Sequence, residues 1–315
     1  MKYFQSNISA IIVLIISVFV ISCEEKKLLT DTPTKGYINV SVDETYKPIM
    51  DSERMVFEAQ YPEAHINLIY KPAMEVINDF KNDSIRMLVT SVPIDSSYLY
   101  LYNEKHGYFP STNIIAKDAV AIIANNSKKG LQITTAELVK ICKGEITDFS
   151  QLGIKKGSGK ITLVFDNAKS STVQYIQDSI MSGATITKNA FAQKTNEEVI
   201  AYVRKTSNAL GIIGVNWISD DQDEETKGFT KDIFPVEIRA ADSSQYYYPP
   251  HPGYIASHLY PMRRYMNITL KEGGAALGRG FLNFMSGEIG QKIVLKAGLV
   301  PAKVPTRVVE TRPNM

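Results

Sequence analysis

The chain has 315 residues, of which 44% are hydrophobic and 22% are charged, so it is long enough to form two domains of ordinary size. Lys and Arg number 35 and Asp and Glu number 33, which gives a formal net charge of +2 at pH 7. This balance leaves no basic face of the kind that binds nucleic acid, so no nucleic-acid partner is predicted.

The N-terminus has the features of a secretion signal. Lys2 is followed by an almost entirely apolar run at 8–21, which is short for a membrane span and typical of a signal-peptide core. The stretch Val-Ile-Ser-Cys at 20–23 resembles the bacterial lipoprotein signal, in which the Cys is lipidated. An uncleaved anchor helix is the alternative. We therefore predict a signal peptide at 1–22 and a lipid anchor on Cys23, with the body in the periplasm or at the cell surface.

Residues that carry catalysis or bind metals are scarce. The sequence contains no GxSxG elbow, Walker A loop or GxGxxG fingerprint. His251 and His258 are seven residues apart, which does not suit a helical zinc pair, and all four histidines are predicted to lie at the surface. Cys142 is predicted to be a small buried side chain. We predict that the chain is not an enzyme and that it binds no metal. A hydrolase that uses a Ser and a His is the remaining enzymatic alternative.

Strands and helices alternate downstream of a short linker at 23–35. Strands rich in Ile and Val that alternate with helices predict an α/β protein with mainly parallel sheets. The predicted strands are 36–42, 64–70, 85–91, 114–124, 160–165, 210–215, 234–238 and 260–269. The predicted helices are 43–61, 74–80, 94–105, 134–144, 170–181, 196–205 and a long one at about 274–297, with an acidic loop at 219–231 and an aromatic loop at 246–252.

Three of the predicted strands end in turns or helix starts that carry hydroxyl groups. These residues are Thr45 after the first strand, Thr90 and Ser91 after the third, and Ser170, Ser171 and Thr172 after the fifth. Ligands of open α/β sheets lie beyond the carboxyl ends of strands, and a helix start presents unpaired N–H groups. The sequence therefore predicts a small pocket, rich in hydrogen-bond donors, that suits an oxyanion. Ordinary N-capping is the structural alternative.

Five segments carry a family resemblance over most of the chain. Residues 133–149 are similar to a T-x-x-x-L-x-x-I-x-x-G-x-I-x-x-W segment, 170–172 stand in the place of an S-G-T phosphate loop, and 210–214 are similar to a G-x-I-G-Y strand. Residues 260–264, and 281–292 together with 297–301, also follow the pattern. With these segments the chain resembles the substrate-binding lipoproteins of bacterial phosphate ABC transporters, within the type II periplasmic-binding-protein family.

The resemblance implies an α/β fold of two lobes with the ligand cleft between them, and capture of inorganic phosphate or a similar oxyanion for an ABC transporter permease. It implies no catalytic step and no cofactor, and we expect a monomer. Lobe 1 would comprise 36–119 and 255–315 and lobe 2 would comprise 120–254, with crossings near 118–122 and 250–260. The predicted ligand-binding residues are Thr45, Thr90, Ser91, Lys169, Ser170, Ser171 and Thr172.

The chain departs from the family pattern in the charges of the site. Ser91 stands where the family has an Asp that accepts a hydrogen bond from protonated phosphate, and Asp166 stands where its phosphate loop begins with an Arg. The open candidates for the acceptor are Asp43, Asp95 and Asp166, and those for the cation are Lys169, Arg263 and Arg264. For the two arginines, a solvated strand edge is the favoured expectation. Another oxyanion, or a surface sensor or interaction lipoprotein on the same fold, is the alternative function.

Overall fold

The structure is a computed structural model that describes residues 31–154, 159–219, 231–240 and 245–305, together with Gly228. The predicted signal peptide, Cys23, the linker up to residue 30 and most of the acidic loop lie outside these residues. No helix within the described ranges is long and apolar enough to cross a membrane.

Twelve strands are present in the described part of the chain. They are β1 Gly36–Asp43, β2 Ala64–Lys71, β3 Met87–Thr90, β4 Ser111–Asn125, β5 Gln132–Thr134, β6 Thr162–Phe165, β7 Phe191–Ala192, β8 Ala209–Gly214, β9 Ile233–Pro235, β10 Glu237–Arg239, β11 Arg263–Leu270 and β12 Val300–Pro301. Ten of them form one sheet in the order β2-β1-β3-β11-β4-β8-β6-β7, with β9 and β12 also paired to β4. Strands β5 and β10 form a separate pair.

Nine α-helices alternate with these strands among the described residues. They are α1 Lys47–Gln60, α2 Ala73–Lys81, α3 Ser96–His106, α4 Thr135–Lys143, α5 Ser171–Tyr175, α6 Asn196–Lys205, α7 Pro252–Ala256, α8 Leu277–Ser286 and α9 Glu288–Lys296. Local sequence explains their ends. Helix α4, for example, begins with a capping box between Thr134 and Glu137, and it ends at Gly144, which has the left-handed φ of 77° that favours glycine.

The long strand β4 joins the two parts of the sheet. Between Ser111 and Ala119 it pairs with β11, and between Val120 and Ala124 it pairs with β8. Parallel pairs flank it on both sides, β1 with β2 and β3, and β6 with β7 and β8. The predicted α/β fold is thus confirmed. The prediction of mainly parallel sheets is wrong, because β4 and β11 are antiparallel to every strand that they contact.

Three further predictions of secondary structure need correction. The region at 274–297 is not one helix, because Gly287 adopts an extended conformation (φ −84°, ψ 178°) that ends α8 and precedes α9. The segment at 234–238 forms two short strands, β9 and β10, on either side of buried Val236. The helix after β6 is also shorter than predicted, since α5 gives way to a π-helical turn at Ile176–Ile180.

The core follows the apolar pattern of the strands. Strands β3 and β8 are buried along their whole length, as their runs of Ile, Val and Leu predict. Cys142 is completely buried and unpaired, and burial raises the pKa of its thiol to about 12. All four histidines are exposed. The predictions for Cys142 and for the histidines are confirmed.

Glu53 in α1 is a buried acid whose titration should be visible in the stability of the chain. It is completely buried, and neither carboxylate oxygen has a hydrogen-bond partner among the described residues. Burial raises its pKa to about 9. A raised carboxyl pKa means that the folded chain binds the proton more tightly than the unfolded chain does, so stability is lost as the pH rises from about 4.5 towards 9.

We expect Glu53→Gln to remove up to about 6 kcal/mol of this pH-dependent loss, because the amide does not ionise. Urea unfolding at pH 5 and pH 9 measures the free energy of unfolding, with Glu288→Gln, a change at an exposed acid, as the control. If the free energy of unfolding fell by the same amount between pH 5 and pH 9 in the native chain and in Glu53→Gln, the result would contradict this account.

Candidate ligand-binding site

Buried polar side chains meet where β1, β6 and β8 end. Asp43 is the last residue of β1, Asp166 follows β6, and Gly214 ends β8. Buried polar groups are costly unless they are paired, so a cluster of them at strand ends marks a site rather than a core. Its almost fully buried members are Asp43, Thr45, Asp118, Asp166, Ser170, Ser171, Thr172, Asn196, Asn216 and Arg264.

Two of the three hydroxyls of the β6–α5 turn, residues 166–172, are directed at a carboxylate of the chain itself. Ser170 Oγ donates to Asp166 Oδ1 at 2.5 Å, and Thr172 Oγ1 donates to Asp166 Oδ2 at 2.9 Å. Asn196 Nδ2, at the start of α6, donates to Asp166 Oδ2 at 3.3 Å. Ser170 Oγ also accepts from Val173 N at 3.2 Å, so it caps α5 as well. Asp166 is therefore held by three donors.

A buried guanidinium enters the site from β11. Arg264 is 5% exposed; its Nε donates to Asp118 Oδ2 on β4 at 2.7 Å, and its Nη1 donates to Ser171 Oγ at 3.1 Å. Its Cζ lies 5.6 Å from the centroid of the Tyr46 ring. Among the residues that the structure describes, Nη2 has no hydrogen-bond partner. The guanidinium is thus fixed by several contacts and keeps one donor for a ligand.

The expectation that both arginines lie at a solvated strand edge is wrong for Arg264. Successive side chains of a strand point to opposite faces, so the two neighbours differ. Arg263 is half-buried and its Nε donates to Tyr260 O at 3.1 Å, whereas Arg264 is buried and paired with Asp118.

The two sides of the site approach each other closely. Thr45 Oγ1, after β1, lies 3.4 Å from Ser171 Oγ in α5. Asn216, after β8, donates from Nδ2 to Thr45 O at 2.9 Å. A Cβ atom at Gly214 would lie 3.0 Å from Asn216 Oδ1 and 3.1 Å from Arg264 Nη2, and it would clash with Thr45. Glycine at 214 is therefore what allows the two sides to come this close.

Acidic groups outnumber the buried cation in this region. Burial raises the pKa of Asp43, and the Arg264 guanidinium and the Ser171 and Thr45 hydroxyls offset part of that rise. Burial also raises the pKa of Asp166 to about 7, although its hydrogen bonds from Ser170 and Thr172 oppose the shift. The pKa of half-buried Glu44 rises to about 7, first through burial and then through neighbouring acids. Within the described ranges, Asp43 Oδ2 has no hydrogen-bond partner, so it remains available as an acceptor.

The structure brings most of the predicted ligand-binding residues together. Thr45 lies against the β6–α5 turn, which contains Ser170, Ser171 and Thr172. Thr90 is buried one residue beyond the Val42–Val89 pair of β1 and β3, and its hydroxyl accepts from Val92 N at 3.1 Å.

The remaining predicted residues lie farther out. Ser91 is half-buried, one residue beyond the end of β3. Lys169 is exposed at the rim, where its Nζ pairs with Glu75 Oε1 at 3.2 Å. Asp95 is exposed and caps α3 by accepting from Ser97 N at 2.9 Å.

Four site residues were not identified from the sequence: Asp118, Asn196, Gly214 and Asn216. Asp118 carried a usable signal, because it is the single acid of β4 and lies in a stretch, 114–124, that is otherwise apolar except for Lys117. Asn196 follows the helix cap Thr195, and its side chain could equally have faced solvent. Gly214 and Asn216 follow a buried strand, and nothing local reveals what they approach.

The profile of the PBP superfamily domain matches residues 30–288 of the chain. The phosphate-binding protein PstS of Pseudomonas aeruginosa is 21% identical over 226 residues, which cover 67% of this chain and 66% of that protein. PstS of Borreliella burgdorferi is 25% identical over 198 residues, which cover 60% of this chain and 65% of that protein. The chain thus spans just under two thirds of the length of these relatives.

Solved structures show the same fold. A protein from Clostridium perfringens, described as a phosphate ABC transporter substrate-binding protein with bound phosphate, superposes with a TM-score of 0.68 at 19% identity and covers 85% of this chain and 100% of its own. An ABC-type phosphate transport receptor from Vibrio cholerae superposes with a TM-score of 0.61 at 20% identity. The match covers 84% of this chain and 100% of that protein. These matches confirm the predicted two-lobed fold and the predicted resemblance. The chain belongs to the PBP superfamily.

Proposed function

We propose that the chain is an extracytoplasmic solute-binding protein that captures inorganic phosphate, or an oxyanion of the same shape, at the site between the ends of β1 and β6. The observation that carries this proposal is the buried guanidinium of Arg264, which keeps an unpartnered Nη2 beside the hydroxyls of Thr45 and Ser171. A desolvated guanidinium is a strong donor to an oxyanion, and the two hydroxyls add neutral donors.

Asp43 gives the site a means of selecting a protonated oxyanion. Its Oδ2 is buried and has no hydrogen-bond partner within the described ranges, so a ligand O–H can donate to it. Sulfate has no proton to donate at neutral pH and would leave this carboxylate unpaired and facing a second negative charge. Asp43 therefore fills, from the end of β1, the acceptor role that Ser91 cannot fill.

The relatives support the wider setting of the proposal. They are named as phosphate-binding proteins, and two solved neighbours are described as components of ABC-type phosphate transport. We propose that the chain is held to a membrane by a lipid on Cys23, acts as a monomer and delivers its ligand to a permease. Lobe 1 would comprise residues 36–119 and 255–315, and lobe 2 would comprise residues 120–254. No bond is made or broken in this function, so the chain would not be an enzyme.

Calorimetric titration of the full-length chain in detergent, with phosphate and with sulfate, tests the proposal. We expect a micromolar or tighter Kd for phosphate and binding of sulfate that is weaker by about tenfold or more, since an unsatisfied buried carboxylate costs about 1–3 kcal/mol or more. Asp43→Asn should reduce the difference between the affinities for phosphate and for sulfate, because an amide can donate to sulfate. Asp95→Asn, at the exposed cap of α3, is the control. Heat from neither anion would refute the function.

Replacement of Arg264 tests which cation binds the anion. We expect Arg264→Gln to weaken phosphate binding by about 100-fold, in line with a loss of about 2–5 kcal/mol when one partner of a buried charge pair is removed, whereas Arg263→Gln should bind like the native chain. Arg264→Gln also leaves Asp118 buried without its partner and should lower the thermal midpoint.

The double variant Arg264→Gln with Asp118→Asn separates the two effects. It replaces the ion pair by two neutral amides and should recover most of the thermal midpoint, but it should not recover binding. A double variant that binds phosphate like the native chain would contradict the role given to Arg264.

A further inference from the structure

The hydroxyl hydrogens of Ser170 and Thr172 in the β6–α5 turn are already used inside the protein. A serine or threonine hydroxyl has one hydrogen, and an ionised carboxylate can only accept. Ser170 Oγ and Thr172 Oγ1 both donate to Asp166, and these two oxygens lie 3.1 Å apart. While Asp166 is ionised, neither hydroxyl has a hydrogen left for an oxyanion. These two hydroxyls then present only oxygen lone pairs to the site, and lone pairs repel an anion.

The charges around Asp166 add to this conflict. The titratable and charged groups that act on it directly are Asp43 from β1, Glu44 from the turn after β1, and Arg264 from β11, while Glu197 and Glu198 at the start of α6 act on Glu44. Arg264 is the cation in this set, and Asp118 already pairs with it. A bound oxyanion would bring further negative charge beside carboxylates that are sheltered from water.

We infer that Asp166 takes up one proton from solvent when the oxyanion binds, and that this proton uptake turns the hydroxyls of Ser170 and Thr172 towards the ligand. The inference rests on the proposed function. Once protonated, the carboxyl has an O–H to donate and no longer attracts both hydroxyl hydrogens. Asp166 is thus a positioning residue that acts through Ser170 and Thr172.

Asn196 provides a partner for the new O–H. Its Nδ2 donates to Asp166 Oδ2, while its own Oδ1 has no hydrogen-bond partner in the described part of the chain and is completely buried. A rotation of the amide by half a turn exchanges donor for acceptor, so that Oδ1 accepts from protonated Asp166. Both protonation states of Asp166 can therefore be satisfied at the same place.

The pKa of Asp166 suits such a step. Burial raises it to about 7, so the carboxyl can be protonated near neutral pH at little cost. Below pH 7 the proton is already present and binding takes up none. Above pH 7 binding must take it up, so affinity for the oxyanion falls as the pH rises, by as much as about tenfold per pH unit.

Calorimetry with phosphate on the full-length chain in detergent, from pH 6 to pH 9, tests this inference. Titrations at pH 8 in two buffers of different ionisation enthalpy give the number of protons taken up. We expect the native chain to take up about one proton more than Asp166→Asn, which carries a fixed neutral amide and should bind phosphate more tightly than the native chain at pH 8. Asp178→Asn, at an exposed acid beyond α5, should match the native chain. Protons that phosphate itself takes up or releases on binding are common to the native chain and both variants, so they cancel when the numbers of protons taken up are compared.

Infrared difference spectra provide a readout on the native chain alone. Phosphate added at pH 8 should produce the C=O band of a protonated carboxylic acid, a region in which phosphate does not absorb. Its absence would overturn the inference even if Asp166→Asn fails to fold. Equal proton uptake by native and Asp166→Asn, with phosphate bound by both, would overturn it too. A native chain that binds no phosphate at any pH would refute the proposed function instead.

Discussion

The buried ion pair between Arg264 and Asp118 is the interaction on which the site depends. The two residues face each other across β11 and β4, the antiparallel strands at the junction of the two parallel parts of the sheet. Asp118 offsets the cost of burying the guanidinium, which in turn donates to Ser171 on the far side of the site. Without this pair, the donor at Nη2 would be neither buried nor held in place.

The charges of the site have changed position relative to the family that the chain resembles. The phosphate loop of that family begins with an Arg, and here Asp166 takes the position and accepts from the hydroxyls around it. The cation comes instead from Arg264, on a strand almost a hundred residues later in the sequence. Asp43 likewise keeps a buried carboxylate oxygen without a hydrogen-bond partner among the described residues, as the proposed acceptor of a ligand proton requires. Under the proposed function, these positions together would supply the donors and the acceptor of an oxyanion site.

The sequence predicts the elements better than it predicts the site. Strand and helix periods, the helix start at Thr134 and the hydroxyls after β6 are local patterns, and the structure has them at the predicted positions. The burial of Arg264 could not be predicted, because two adjacent arginines give no sign of which one faces inward. Its partner Asp118 lies 146 residues away. The direction of the Ser170 hydroxyl depends on the packing of Asp166, which no short-range pattern contains.

Crystals grown with arsenate, a heavier analogue of phosphate, test the central claim most directly, because arsenic can be located by its anomalous scattering. The account predicts one strong peak within hydrogen-bonding reach of Arg264 Nη2 and of the Thr45 and Ser171 hydroxyls. A peak at the exposed rim beside Lys169, or a well-ordered site with no arsenic at saturating arsenate, would contradict it.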